Sequence, residues 1–123
     1  MSTGTGDFKQ LLYAARDGDL ESVQYWTRRG ANLNFLHAEF LFTPLHISIR
    51  NRHLNVARWL LENGADPLLT EGYSDDTPLS IAQANEDAEA IALLESFGVE
   101  VKDGFWYRFK HMLWQRLIGS LAY

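Results

Sequence analysis

The chain of 123 residues contains no cysteine, and this absence removes several kinds of chemistry at once. Without thiols there is no disulfide framework, no thiolate zinc site and no cysteine nucleophile. The absence of cysteine also fits a reducing compartment, so we expect a cytoplasmic protein.

Long apolar runs and targeting signals are missing as well. Nowhere do about 18 apolar residues follow one another without a charge, so we expect no transmembrane helix. The first six residues, MSTGTG, contain no basic segment followed by an apolar stretch, and we expect no secretory signal. Apolar residues still make up 46% of the chain, which is enough for a buried core.

Cations are scarce in most of the sequence. Residues 1–101 hold fifteen Asp and Glu against seven Lys and Arg, a balance of −8, while residues 102–123 hold four basic residues and one acidic residue. A protein that binds nucleic acid needs a basic surface to neutralise phosphates. The acidic body of the chain therefore predicts that nucleic acid is not a partner.

The sequence does contain an internal repeat with a period of 34 residues. The segment TPLH at 43–46 aligns with TPLS at 77–80, and Gly30, Gly64 and Gly98 fall at equivalent places. A period of this length predicts a solenoid, in which each unit packs on the next. The three units comprise about residues 8–42, 43–76 and 77–101, within a repeat domain of residues 1–101.

Each unit has the signals of a short helix pair. Thr43 is suited to cap a helix through its hydroxyl, and Pro44 stands at the first helical position, where a missing N–H is not needed. Apolar residues at 3.6-residue spacing over 56–61 predict a second helix, which Gly64 ends in the left-handed conformation. A helix pair of this size cannot bury its apolar face alone, so the units must stack.

These residues resemble the ankyrin repeat consensus, above all TPLH at 43–46 followed by LLENGAD at 60–66. The resemblance covers about residues 8–101. The first unit lacks the Thr-Pro opening, and the third has Ser80 in place of His. The resemblance implies an all-α solenoid of stacked helix-turn-helix units with β-turn fingers, which acts by binding another protein. It also implies that His46 bonds backbone at a junction between repeats.

No arrangement of residues indicates catalysis. The acidic pairs at 75–76 and 86–87 lie in predicted turns, where carboxylates are solvated, whereas catalytic carboxylates need burial or a partner to tune their pKa. The four histidines show no His-x-x-x-His spacing that would suit zinc. We therefore expect no catalytic residue, cofactor or metal, and a protein that is not an enzyme.

The resemblance places the variable binding positions on the fingers and on the adjoining ends of the first helix of each unit. The first finger, residues 35–42, has no glycine and carries five large apolar residues, which are difficult to bury in one loop. Exposed aromatic residues beside polar ones are where binding energy concentrates. We expect partner contacts from the following residues of the repeats: Phe35, Leu36, Phe40, Phe42, Arg50, Asn51, Tyr73, Asp75 and Asp76.

Two alternatives to these contacts stay open at this point. In the first, Leu41 or Phe42 of the first finger folds inward onto the repeat and makes no partner contact. Asp75 and Asp76 of the second finger, residues 71–76, would be solvated turn residues that flank Tyr73 without binding anything.

The last 22 residues do not continue the repeat. We expect a helix over about residues 105–121 that closes the stack. Its apolar residues cover much more than the roughly 100° of arc that docking needs, so a second apolar surface should remain. Trp106, Leu113 and Leu117 would dock on the third unit. Trp114 and Ile118 would remain for a protein partner or for a homodimer with a second copy of the chain.

The expected function is therefore a protein–protein interaction module that binds one specific partner, as a small inhibitor, adaptor or immunity-like protein. The rival interpretation is a peripheral membrane-associated regulator, held at a membrane surface by the aromatic and basic C-terminal helix. It ranks second because the basic residues of that helix are scattered around the helical wheel, not gathered on its polar side.

Deleting residues 103–123 tests both roles of the C-terminal segment. We expect the shortened chain either to lose the interaction or to aggregate, because the open end of the stack would expose its apolar side. Size-exclusion chromatography and a binding assay check this. A shortened protein that stays monomeric, stable and fully able to bind would show that the segment neither caps nor binds.

Overall fold

The computed structural model describes residues 5–36 and 38–101. Within these residues the chain forms six α-helices and no β-strand, which confirms the predicted all-α solenoid of helix pairs. The predicted C-terminal helix lies outside the described residues. The helices are α1 (Thr5–Asp17), α2 (Leu20–Arg28), α3 (Pro44–Arg50), α4 (Leu54–Glu62), α5 (Pro78–Ala84) and α6 (Ala88–Ser96).

The helices are arranged in two layers. The first helices of the three pairs, α1, α3 and α5, pack side by side as an inner layer, with α3 in the middle. The second helices, α2, α4 and α6, form an outer layer in which α4 lies between the other two. The first finger connects α2 to α3, and the second finger connects α4 to α5.

The core lies between the layers and runs through all three pairs. It is built from the apolar residues that recur at helical spacing, and fully burying one such side chain stabilises the fold by about 1.5–3 kcal/mol. α1 is longer than α3 and α5 (13 residues against seven), because no Thr-Pro pair fixes its beginning. The largest fully buried apolar side chains include Leu11, Val23, Leu45, Ile49, Val56, Leu60, Ile91 and Leu94.

The same capping box begins α3 and α5. The Thr43 hydroxyl accepts a hydrogen bond from the N–H of His46 (3.3 Å), and the Thr43 N–H donates to His46 Nδ1 (3.0 Å). Ser80 replaces the histidine in α5, and its hydroxyl accepts from the N–H of Thr77 (2.8 Å). Ser80 stands where the consensus has histidine, and it preserves the capping box.

His46 also joins α3 to the chain that leads into the second finger. Its Nε2 donates to the carbonyl of Leu69 (2.8 Å), since Nδ1 is already an acceptor, and the side chain is fully buried. Burial lowers the pKa of His46, against the hydrogen bond to Leu69 and the nearby charge of Glu71, which raise it. The ring is neutral at pH 7, and the structural role implied for it is confirmed.

Glycines end the three outer helices as predicted. Gly30, Gly64 and Gly98 have left-handed φ values of 92°, 101° and 91°. Beyond the adjacent residues of the chain, no atom lies within 4 Å of the position that a Cβ would take at any of them. The requirement for glycine is therefore conformational, because a side chain would have room but would strain the backbone.

Replacing Gly64 by Val should lower the free energy of unfolding by about 1 kcal/mol or more, because a β-branched residue resists positive φ. Gly64→Asn is the matched control, since Asn tolerates this conformation, and it should lose clearly less. Urea denaturation of both variants measures the difference. Equal midpoints for the two variants and the parent would mean that α4 does not end at this residue.

Replacing His46 by Ser should keep the cap, as Ser80 does in α5, but remove the hydrogen bond to Leu69. We expect this loss to lower the free energy of unfolding by roughly 1–2 kcal/mol near neutral pH. The pKa of His46 is lowered in the folded state, so the unfolded chain takes up its proton first as the pH falls below about 6.5. The stability that the parent draws from this residue is therefore present above that pH and declines below it.

The stability difference between parent and His46→Ser should thus be larger at about pH 7.5 than at about pH 5.5. Urea denaturation at both values measures it. The other three histidines are common to both proteins and cancel in the comparison. A constant difference across this range would show that protonation of His46 is not coupled to folding.

Candidate protein-binding surface

The first finger lies along α1 and carries an aromatic cluster. The ring of Phe40 meets that of Tyr13 edge-on (6.3 Å between centroids) and that of Phe42 (5.9 Å). Lys9 stands 5.9 Å from the Phe40 centroid and forms an ion pair with Glu39 (3.4 Å). The finger is therefore held on the inner layer by ring packing and by a charge pair, as a defined surface.

The large apolar residues of this finger are not part of the core. Phe35 packs edge-on against Phe8 (5.1 Å between centroids) and keeps 42% of its surface exposed, while Leu36, Phe40 and Phe42 are half-buried. Leu41 is also half-buried, so neither residue of the inward-folding alternative is buried. The finger presents apolar surface at the edge of the stack, as predicted.

The two fingers are joined to each other. The N–H of Gly72 donates to the carbonyl of Leu41 (2.9 Å), and the Leu41 side chain lies against Gly72, where an added Cβ would approach it to 3.1 Å. Leu41 has a left-handed φ of 56°, and Asp75, its counterpart in the second finger, has a φ of 58°. Leucine is an uncommon residue in this conformation. The contact between fingers makes their outer edges one continuous surface, here called the finger surface.

The second finger is a closed turn that presents Tyr73 at its tip. The N–H of Glu71 donates to the carbonyl of Asp76 (2.9 Å), and the N–H of Asp75 donates back to the carbonyl of Glu71 (3.2 Å). The Ser74 hydroxyl donates to the Glu71 carboxylate (2.9 Å). Tyr73 is 84% exposed, more than any other large apolar side chain in the part of the chain that the structure describes.

An ion pair fixes the second finger to α3. Arg50 Nη1 lies 2.7 Å from Glu71 Oε1, and Glu71 is only 8% exposed. Burial by itself would raise the pKa of the Glu71 carboxyl, but contacts with Arg50 and Ser74 and the charge of Arg50 outweigh it and lower that pKa. Glu71 was not among the residues predicted from the sequence, because its role depends on a cation 21 positions earlier.

Two further predicted residues, Asn51 and Asp76, have structural contacts of their own. Asn51 Nδ2 donates to the carbonyl of Arg16 (3.0 Å), just as Asn85 donates to the carbonyl of Arg50 (3.1 Å). Asp76 is half-buried and accepts from the Ser80 hydroxyl (3.0 Å), whereas Asp75 is exposed.

The structure therefore brings Phe40 and Phe42 together in one cluster and joins the two fingers, whereas Asn51 contacts the end of α1 and Phe35 packs on Phe8. Trp114 and Ile118 lie outside the described residues.

Metal binding and membrane crossing find no support in the described ranges. In residues 5–36 and 38–101 no three His, Asp or Glu side chains gather where they would hold a metal ion. None of the six helices found there has the length and apolar character needed to cross a membrane.

Comparison with known proteins matches the chain to the family of ankyrin repeats (3 copies) over residues 11–103. The chain is 33% identical over 98 residues to a putative ankyrin repeat protein of Rickettsia felis, which is 73% of this chain and 42% of that protein. It is 40% identical over 62 residues to mouse palmitoyltransferase ZDHHC13, which is 50% of this chain and 10% of that enzyme.

A third relative is mouse ARF GTPase-activating protein GIT2, 34% identical over 95 residues, which is 77% of this chain and 13% of that protein. The chain spans less than half the length of each of these three relatives, so the similarity concerns the repeats alone. The family match, the helix pairs and the repeated cap agree, and the chain belongs to the ankyrin repeat family, whose repeats are typically non-catalytic protein–protein interaction modules.

Proposed function

We propose that the finger surface binds one specific protein partner, with Tyr73 and the aromatic cluster of Tyr13, Phe40 and Phe42 as its anchors. The observation that carries this proposal is the position of Tyr73, 84% exposed at the tip of a turn closed by hydrogen bonds. An exposed aromatic side chain on a rigid support loses little conformational entropy when a partner covers it.

The support for these anchors is electrostatic as well as steric. Each cation beside the fingers is paired with a carboxylate: Lys9 with Glu39, and Arg50 with Glu71. These pairs hold both fingers on the inner layer before any partner arrives. Preorganisation of this kind favours binding, because the ordering is completed during folding.

The exposed groups next to the anchors set the chemistry of the partner. Asp75 is exposed and forms no ion pair with a residue that the structure describes. The complementary surface is therefore an apolar patch that receives Tyr73, with polar or basic groups at its rim.

The role is that of a small inhibitor, adaptor or immunity-like protein, and the nature of the captured partner decides among these three. An enzyme whose activity falls on binding identifies an inhibitor. A toxic protein that is neutralised identifies an immunity-like protein, and a ternary complex identifies an adaptor.

Affinity capture from native lysate tests the proposal when the parent and the Tyr73→Ala variant are used side by side. A protein recovered in stoichiometric amount with the parent and lost with Tyr73→Ala supports it. Tyr25→Ala is the matched control, because Tyr25 is an exposed tyrosine (51%) on the outer layer, and it should recover the same protein. Recovery of lipid in a flotation assay, without a stoichiometric protein, would favour the membrane-associated alternative.

Replacing Tyr73 by Ala should weaken binding to the purified partner by about 2 kcal/mol, or roughly 30-fold, as is common for buried aromatic anchors. Its stability should change by no more than about 0.5 kcal/mol, because the side chain is exposed. Phe40→Ala should weaken binding too, but with some loss of stability, since Phe40 contacts Tyr13 and Phe42.

Calorimetric titration and thermal denaturation measure the two effects separately. Unchanged affinity together with a large fall in melting temperature would show that Phe40 and Tyr73 serve the fold and not the partner.

A further inference from the structure

The two fingers touch at residues that adjoin the proposed binding anchors. Leu41 stands between Phe40 and Phe42, whose rings pack against each other. Gly72 comes immediately before Tyr73 at the tip of the second finger. The N–H of Gly72 donates to the carbonyl of Leu41 (2.9 Å), and the Leu41 side chain packs on Gly72. This hydrogen bond and this packing are here called the finger contact.

Each finger is otherwise supported by a different helix. The first finger is held on α1 by ring packing and by the ion pair of Lys9 with Glu39. The second finger is held on α3 by the ion pair of Arg50 with Glu71. These supports belong to different repeats, so they leave the spacing of the fingers to the packing of the repeats. The finger contact fixes that spacing directly.

The backbone conformation of Leu41 is unfavourable for leucine. Its φ of 56° is left-handed, and a Cβ causes strain there. Asp75 stands at the same position of the next unit with a φ of 58°, but aspartate adopts this conformation more readily. No further finger follows Asp75 in residues 5–36 and 38–101. Leucine therefore stands at the position where a neighbouring finger offers its side chain a contact, and strain retained in this way points to a function.

The packing of Leu41 depends on the missing side chain of Gly72. A Cβ at residue 72 would lie 3.1 Å from Leu41 Cβ, 3.2 Å from Cδ2 and 3.3 Å from Cδ1, all closer than ordinary van der Waals contact. The φ of Gly72 lies outside the left-handed region, unlike those of Gly30 and Gly64. Glycine at residue 72 is therefore required by the close approach of the first finger and not by the backbone conformation.

We propose that Leu41 is a positioning residue of the finger surface, which holds the two fingers together through Gly72 so that both groups of anchors meet a partner as one unit. This inference rests on the proposed function, because it assigns the finger contact a role in binding by the fingers. A contact that restricts the anchors before binding strengthens the complex, since less ordering remains for the partner to impose.

Amide hydrogen exchange of residue 72 in the full chain tests the finger contact without a partner. The parent should protect the N–H of Gly72, because it is bonded to the Leu41 carbonyl beside the Leu41 side chain. Leu41→Ala and Leu41→Gly should each raise its exchange rate about tenfold, since both remove the packing. The N–H of Ile81, bonded to the carbonyl of Thr77 in α5, is the internal reference and should change much less.

The two substitutions at residue 41 separate the side-chain contact from the backbone strain. Both remove the contact, but only Leu41→Gly relieves the left-handed conformation, so it should melt about 2–5 °C above Leu41→Ala. Both should nevertheless raise the dissociation constant of the purified partner by a similar factor, about fivefold to tenfold. Calorimetric titration and thermal denaturation measure the two effects and verify that the variants are folded.

Gly72→Ala tests the same contact from the second finger and leaves Leu41 unchanged. The added Cβ should push the fingers apart and raise both the exchange rate at residue 72 and the dissociation constant, as the Leu41 variants do. In a Leu41→Gly background the same substitution should have little further effect, because the three nearest atoms are gone. Additive losses would show that residues 41 and 72 act independently.

Two other results would overturn the proposal. The first is unchanged exchange at residue 72 in the folded Leu41 variants. The second is an unchanged affinity in both of them, or a loss of affinity in Leu41→Ala alone, which would assign the effect to strain. A failure of the proposed function looks different, as a partner that binds parent and Tyr73→Ala equally. That result excludes a role of the finger contact in binding, while the exchange rates still show whether the contact holds the fingers together.

Discussion

Every helix in residues 5–36 and 38–101 is too short to be stable alone, and the rest of the described structure follows from that constraint. Helices of seven to thirteen residues are marginal in water, so each depends on the apolar surface of its neighbours. Two local devices fix the neighbours in place: the Thr-Pro cap that sets where an inner helix begins, and the glycine that ends an outer helix. His46 adds a link from α3 to the chain before the second finger, which continues into the next repeat.

The fingers keep a defined conformation because the same stack of helices supports them. A loop with five large apolar residues would collapse or aggregate if it were free, but here it is supported along α1 by the ring of Tyr13 and by the pair of Lys9 with Glu39. The second finger rests on α3 through Arg50 and Glu71. The exposed apolar surface is thereby held in one conformation, which the proposed binding function requires and which an aggregation-prone flexible loop lacks.

Local signals in the sequence were sufficient to predict the helix pairs, the caps at Thr43 and Thr77 and the glycine ends, because each depends on residues within one turn. The period of 34 residues then predicted the stacking. The ion pair of Glu71 with Arg50 was missed, since it joins different elements. The contact of Arg28 with Trp59 was missed for the same reason, as the two residues lie on neighbouring helices. Side-chain contacts across repeats depend on rotamers and register, which periodicity does not specify.

The two layers divide the surface of the molecule into faces of different character. Along the inner layer, each cation that flanks a finger is neutralised at short range, and the exposed groups that remain are aromatic rings and carboxylates. Along the outer layer, Arg28 and Arg29 of α2 form no ion pair within the described residues, and exposed carboxylates lie on α6. Short-range pairing stiffens a surface, whereas exposed charges separated over two repeats are screened by salt and leave the side chains unconstrained by each other.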